Sequence, residues 1–178
     1  HALPRGPLRE PLSALNRASA FILTRSHTSE SDSPFFSLSL PGPVFRSCHA
    51  PYICNVIKAK NTAHQPLRSV PLKGTKVFGF SGIARNNDFR RSITDLGGEI
   101  SGFSEFPDHH PYSGDDLSQI LHSARNVNAQ CIVTTNKDYV RLANRINWPL
   151  DLIVTDVKIS FRDEEDAFTR FISKAIGE

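Results

Sequence analysis

The run Phe106-Pro107-Asp108-His109-His110-Pro111-Tyr112 gathers two adjacent imidazoles, a carboxylate and a phenol. Groups of these types build sites that handle protons or hold metal ions. An alternating apolar pattern ends at Phe106, and a capped helix pattern opens just after Tyr112. The run therefore sits where a strand's carboxyl end meets the next helix, the place where open α/β sheets put their chemistry. Pro107 and Pro111 restrict how this loop bends. The bland alternative is that His109 and His110 only close a strand and bond nearby backbone. Four such groups crowded at one sheet edge weigh toward function.

The elements that must position this loop are legible from residue 75 onward. Thr75–Phe80 reads as a strand, Asn87–Leu96 as a helix stopped by Gly97-Gly98, and Glu99–Phe106 as a second strand. Ser113 followed by Asp116 forms an approximate capping box, ahead of a stripe made by Leu117, Ile120, Leu121 and Ala124. Gln130–Thr135 is short and β-branched, which predicts a strand buried on both faces, with Cys131 among its buried residues. Lys137–Ile146 reads as a helix, Asp151–Phe161 as a fourth strand, and Glu164–Ile176 as a closing amphipathic helix. Four strand–helix units predict an α/β class: a Rossmann-like, mostly parallel sheet with helices on both faces.

Residues 1–72 differ, being rich in proline, serine and arginine with a broken apolar pattern. Ala18–Thr24 reads as one strand, and Phe36–Leu40 with Tyr52–Ile57 as short strands of a connector. We expect this part to be a remnant of a neighbouring domain with its connector, and residues 73–178 to be the α/β domain. Residues 1–72 carry 8 Lys and Arg against 3 Asp and Glu, whereas residues 73–178 carry 13 against 15. A basic first part suits anionic lipid or phosphate, and a solvated face suits it equally. Aromatic residues do not interleave with the basic ones, so no nucleic-acid partner is expected.

An apolar content of 39% with 22% charged residues excludes disordered and fibrous classes. No apolar run approaches the roughly 18 residues that cross a bilayer, so membrane contact is expected to be peripheral. Methionine is absent and His1 stands first, which leads us to expect a fragment of a longer protein. Cys48, Cys54 and Cys131 are too few for a disulfide scaffold. Cys48-His49 with Cys54 falls short of a four-ligand zinc set.

No G-x-x-x-x-G-K-[ST] loop occurs in the sequence. Gly79-Phe80-Ser81-Gly82 could turn its amides toward an anion, but a tight strand-to-helix turn explains it better. Asp108-His109-His110 also matches the name-giving motif of a family of metal-dependent phosphoesterases. Those enzymes need further Asp and His ligands, and no D-x-D pair follows an upstream strand here. No metal site is therefore expected.

Four blocks in order resemble the tetraacyldisaccharide 4′-kinase family, the lipid A kinases. Leu3–Leu12, continuing to Arg17-Ala18, resembles its LPAGPLREPLSRLKRA block. Val77–Arg85 (VFGFSGIAR) is similar to AFCGIGNP, with Gly82 on a family glycine. Phe106–Tyr112 resembles F-[PA]-D-H-H-x-[YF], and Val133–Leu142 resembles VTTEKDAVKL, with Lys137 and Asp138 on family positions and Asn136 where the family has Glu. The resemblance covers residues 3–24 and 74–143, and finds nothing alignable in 25–73.

The resemblance implies an enzyme that uses ATP and Mg2+ to phosphorylate the 4′-hydroxyl of a tetraacyldisaccharide 1-phosphate, giving lipid IVA at the cytoplasmic face of the bacterial inner membrane. It implies that the phosphate-binding loop and the catalytic aspartate precede the first block. This chain would then be the carboxyl-terminal half, inactive alone, with ATP and Mg2+ bound mainly by the missing domain. The lipid A precursor disaccharide and a membrane surface are the implied partners. His109 falls on the histidine that pairs with the catalytic aspartate and shares the hydroxyl proton, with Asp108, His110 and Tyr112 in support. Arg9 and Glu10 would lie near the inter-domain cleft, where Arg9 could steady phosphate oxygens. A non-catalytic α/β docking module and the metal phosphoesterase remain the alternatives.

Overall fold

A computed structural model describes residues 3, 5–6, 8–26, 40–59, 72–142 and 148–177. Five strands form one sheet: β3 (Cys48–Ile57), β4 (Thr75–Ser81), β5 (Gly98–Glu105), β6 (Cys131–Thr135) and β7 (Asp151–Ser160), in the spatial order β3-β7-β6-β4-β5. The pairs β4–β5, β4–β6 and β6–β7 are all parallel. Helices α1 (Asn86–Asp95), α2 (Gly114–Asn126) and α3 (Asn136–Leu142) connect them. The fold is a Rossmann-like α/β sheet flanked by helices.

Neighbouring residues on the central strands serve opposite faces. Phe78, Phe80, Ile132, Leu152 and Val154 pack with Leu117, Ile120 and Ala124 of α2 in one core cluster. Val77, Cys131, Val133 and Ile153 pack with Phe89 and Ile93 of α1 in the other. Burial on both faces is what makes these strands read as near-continuous apolar runs. Cys131 is wholly buried there, and burial with the nearby Asp151 charge pushes its thiol up to about 12. It is a packing residue, not a nucleophile.

Each helix has a local reason to start or stop. Ser113 Oγ accepts the Asp116 N–H while the Asp116 carboxylate accepts the Ser113 N–H, so the expected capping box of α2 is complete. The turn after α1 ends at Gly97, whose φ of +88° favours glycine. α1 and α2 lie against opposite faces, so the chain leaves β4 sideways to β5 and returns across it to β6. The strand order reverses between β4 and β6, a topological switch point.

By its contacts the chain divides into two compact units, residues 50–158 and residues 1–49 with 159–178. In the second, β1 (Phe21–Leu23) pairs in parallel with β2 (Val44–Arg46). Helix α4 (Glu165–Ile176) packs there: its Phe168 and Phe171 rings lie 5.2 and 5.5 Å from Phe45, and Glu164 accepts the Arg46 N–H at 2.6 Å. The expected break at residue 72 is one of composition, whereas this grouping is one of packing.

Most expected elements agree to within a residue or two. The expected strand over 18–24 is confined to Phe21–Leu23, and the one over 52–57 extends back to Cys48 and joins the main sheet. Strand β2 was not foreseen. The expected strand at Phe36–Leu40 lies outside the described residues except for Leu40, as do residues 143–146 of the expected third helix.

Ile120 is fully buried in the α2 cluster. Ile120→Ala is expected to lower unfolding stability by about 2–5 kcal/mol, read from urea denaturation followed by far-UV circular dichroism.

Candidate functional site

Three strand ends converge at the switch point, and Gly82 is their common neighbour. Phe106 N–H donates to Ser81 O at 2.9 Å, and His109 N–H donates to Gly82 O at 3.1 Å, binding the loop after β5 onto the end of β4. A Cβ on Gly82 would lie 2.9 Å from Pro107 O, 3.1 Å from His110 Cβ and 3.2 Å from Tyr112 Oη. Only glycine lets the loop sit this close. Ser81 is buried, and its hydroxyl donates to Asn86 Oδ1 at 2.6 Å, tying the same strand end to α1.

The two adjacent histidines have different fates. His110 is half-buried: its ring stacks on Phe106 at 4.8 Å, and its Nε2 lies 3.0 Å from Asp116 Oδ2. His109 is exposed, with a left-handed φ of +63° that costs a non-glycine residue about 1 kcal/mol. Its Nδ1 meets Arg141 Nη2 at 2.9 Å. Its Nε2 lies 3.8 Å from Asp108 Oδ2, an ion-pair distance too long for a hydrogen bond. Asp108 thus neighbours His109 directly, while His110 is engaged elsewhere.

Asp116 accepts from Ser113 Oγ at 2.6 Å and Ser113 N–H at 2.7 Å, besides facing His110. Those bonds, with the Ser113 hydroxyl the largest influence, hold its carboxyl down from 3.8 to about 2. Tyr112 is buried, edge-on to Phe80 and Phe106 at 5.5 and 5.1 Å. Burial first, and the Asp138 charge second, push its phenol well above the usual range. Its hydroxyl makes no well-formed hydrogen bond among the described residues. Tyr112 therefore packs the loop and does not exchange protons near neutral pH.

The third strand end brings Asp138 and Arg141. Thr135 Oγ1 accepts the Asp138 N–H at 3.1 Å and donates to Asp138 Oδ2 at 2.6 Å, so the pair forms a compact start to α3. Asp138 is fully buried, and Arg141 Nη1 lies 3.4 Å from both its Oδ1 and Gly82 O. Asn136 Nδ2 donates to Asp156 Oδ2 at 2.9 Å. Lys137 is exposed on the first turn of α3.

The structure thus brings Gly82, Asp108, His109, His110, Tyr112 and Asp138 to one sheet edge. Arg9 and Glu10 belong to the other unit, both exposed, with Glu10 ion-paired to Arg17. An exposed pair of this kind contributes little to stability. Arg141 was not singled out from the sequence. Its signal is its place three residues after Asp138, neighbouring positions on a helix. Among the described residues, no group of three or more His, Cys, Asp or Glu converges as a metal site would need.

A family model described as tetraacyldisaccharide-1-P 4′-kinase matches residues 1–177, including the 25–73 stretch where the four blocks found no counterpart. A tetraacyldisaccharide 4′-kinase from Anaeromyxobacter sp. (strain Fw109-5) is 40% identical over 149 residues, covering 80% of this chain and 38% of its own. One from Desulfatibacillum aliphaticivorans is 32% identical over 180 residues, covering 99% of this chain and 48% of its own. The crystal structure of LpxK from Aquifex aeolicus in complex with ATP superposes with a TM-score of 0.51 at 27% identity, covering 93% of this chain and 45% of that one. The chain therefore spans under half the length of these relatives.

The depressed Asp116 value fixes a pH dependence. A carboxyl whose folded value lies below its unfolded one stabilises above the unfolded value, and that stabilisation is lost as pH falls through the folded one. Asp116→Asn is expected to cost about 1 kcal/mol at pH 7. The gap from wild type should close as pH falls from 3.8 through about 2. Urea denaturation of both proteins across that range is the measurement.

Proposed function

We propose a role for this chain from one premise: it belongs to the tetraacyldisaccharide-1-P 4′-kinase family, whose model matches residues 1–177. The role is that of the carboxyl-terminal part of a lipid A kinase. The parent enzyme transfers the γ-phosphoryl group of ATP to the 4′-hydroxyl of tetraacyldisaccharide 1-phosphate. A bond forms between the 4′-oxygen and the γ-phosphorus, the bond from that phosphorus to ADP breaks, and the hydroxyl proton passes to a carboxylate of the preceding domain, which His109 supports. The product is lipid IVA.

The observation that carries this reading is His109 itself. It is exposed at the switch point, held in a left-handed conformation by its backbone bond to Gly82, and gripped at one ring nitrogen by Arg141. Left-handed backbone also occurs at Arg25, Asn128 and Arg162, so what distinguishes His109 is its place at the switch point with its ring held by Arg141.

The described residues supply neither a phosphate-binding loop nor a converging magnesium ligand set. ATP and Mg2+ belong, in this reading, to the preceding domain, and the fragment alone is inactive. Residues 1–72 then serve as the remnant of that domain and the connector from it. Arg9 steadies phosphate oxygens at the cleft, with Glu10 beside it. Among the described residues no helix is long and apolar enough to cross a membrane. Contact with the cytoplasmic face of the inner membrane, peripheral for this part of the chain, is proposed instead from the lipid substrate that the family name specifies. The lack of a phosphate-binding loop in the sequence also suits a non-catalytic docking module.

His109→Ala in the full-length parent is expected to lower kcat about 10²-fold, the scale of an acid–base participant. Phosphate transfer from labelled ATP to the disaccharide lipid measures it, and unchanged turnover would remove His109 from the mechanism.

A further inference from the structure

A guanidinium has donors and no acceptor, so the 2.9 Å contact between Arg141 Nη2 and His109 Nδ1 fixes which way that hydrogen bond runs. Nδ1 accepts. In the neutral imidazole the ring proton must then sit on Nε2. That nitrogen faces away from Arg141, and among the described residues its nearest carboxylate oxygen, on Asp108, is 3.8 Å away. Nε2–H is therefore a donor with room for a further acceptor.

Arg141 is itself held in place. Its Nη1 lies 3.4 Å from both the fully buried Asp138 carboxylate and the Gly82 carbonyl. Asp138 is in turn bonded twice to Thr135 at the end of β6. One side chain thus contacts the residue that follows β4, the first turn of α3 and the loop after β5. Guanidinium geometry suits this, since its fork presents several donors in fixed directions.

We infer that Arg141, braced by Asp138, is a positioning residue that locks His109 in its Nε2–H form. His109 therefore presents an N–H donor, not a free lone pair, at its outward-facing nitrogen and is not itself the base. The inference rests on the reading of His109 as a participant in phosphoryl transfer, and it says how the residue participates. Second contacts of this kind set the tautomer and orientation of a working imidazole.

The test is a long-range proton–nitrogen NMR correlation of the imidazole side chains in the 15N-labelled chain, at a pH well above the ordinary imidazole range. His109 is expected to show a protonated Nε2 and an unprotonated Nδ1, with scalar coupling across the hydrogen bond to the Arg141 guanidinium. The absence of either feature in the wild-type chain overturns the inference, whether or not any variant folds. In Arg141→Met, which keeps the length and removes the donors, the coupling should vanish and His109 should become a mixture of tautomers. The His110 signals should stay where they were. A His109 pattern unchanged in Arg141→Met would also overturn it. The kinase reading fails separately: normal turnover in His109→Ala of the parent would end that role and leave the tautomer result standing.

Discussion

Closeness of backbone at the end of β4 is the constraint on which the rest of the site depends. Gly82 has no side chain, and Pro107, His110 and Tyr112 occupy the space a Cβ would need. Because they come so near, the Gly82 carbonyl can accept the His109 N–H while Arg141 Nη1 lies 3.4 Å from the same oxygen. The sheet topology makes this meeting possible. Only at a switch point do the loops following two outwardly diverging connections open onto the same crevice. The apolar faces of β4, β6 and β7, buried under α1 on one side and α2 on the other, keep that crevice edge in register.

Charge is arranged around this edge with little left to chance. Asp138 is fully buried, a costly position for a carboxylate unless it is hydrogen-bonded and near a cation. Thr135 supplies the hydrogen bond and Arg141 the cation. That same Arg141 then reaches outward to His109, so a group needed for burial also orients a group exposed for chemistry. Tyr112, packed between Phe80 and Phe106, closes the apolar floor beneath them.

Much of this was legible in the sequence, for identifiable reasons. Two-sided burial gives β6 its short β-branched run, and the capping box of α2 announces itself through Ser113 and Asp116. The seven-residue loop stood out because its chemistry is local. What stayed hidden is long-range. Val44–Arg46 is too short to carry a pattern, and its pairing with Phe21–Leu23 is a tertiary fact. The packing of α4 with the first residues joins positions 118 apart, as in the bond from Arg46 to Glu164. Arg141 looked like one more charged residue on a helix. Its importance comes from three contacts, two of them with loops far from it in the chain.

Adjacency of His109 and His110 in the chain suggests a pair acting together, and the backbone separates them. A left-handed turn at the first histidine sends the two rings in different directions. The second goes to Phe106 and Asp116, where stacking and a bond to an already capped carboxylate make it part of the loop's foundation. The first is left outside with one nitrogen held and the other available. A flexible loop could not keep that asymmetry, because an exposed imidazole turns freely about two torsions and loses side-chain entropy when fixed. Here the restraint comes from groups the fold needs anyway: a carbonyl at a strand end, a buried acid and its counter-charge. The more exposed histidine of the pair is thus tied directly to the buried end of the sheet, and that connection makes it a better candidate for chemistry than its more buried neighbour.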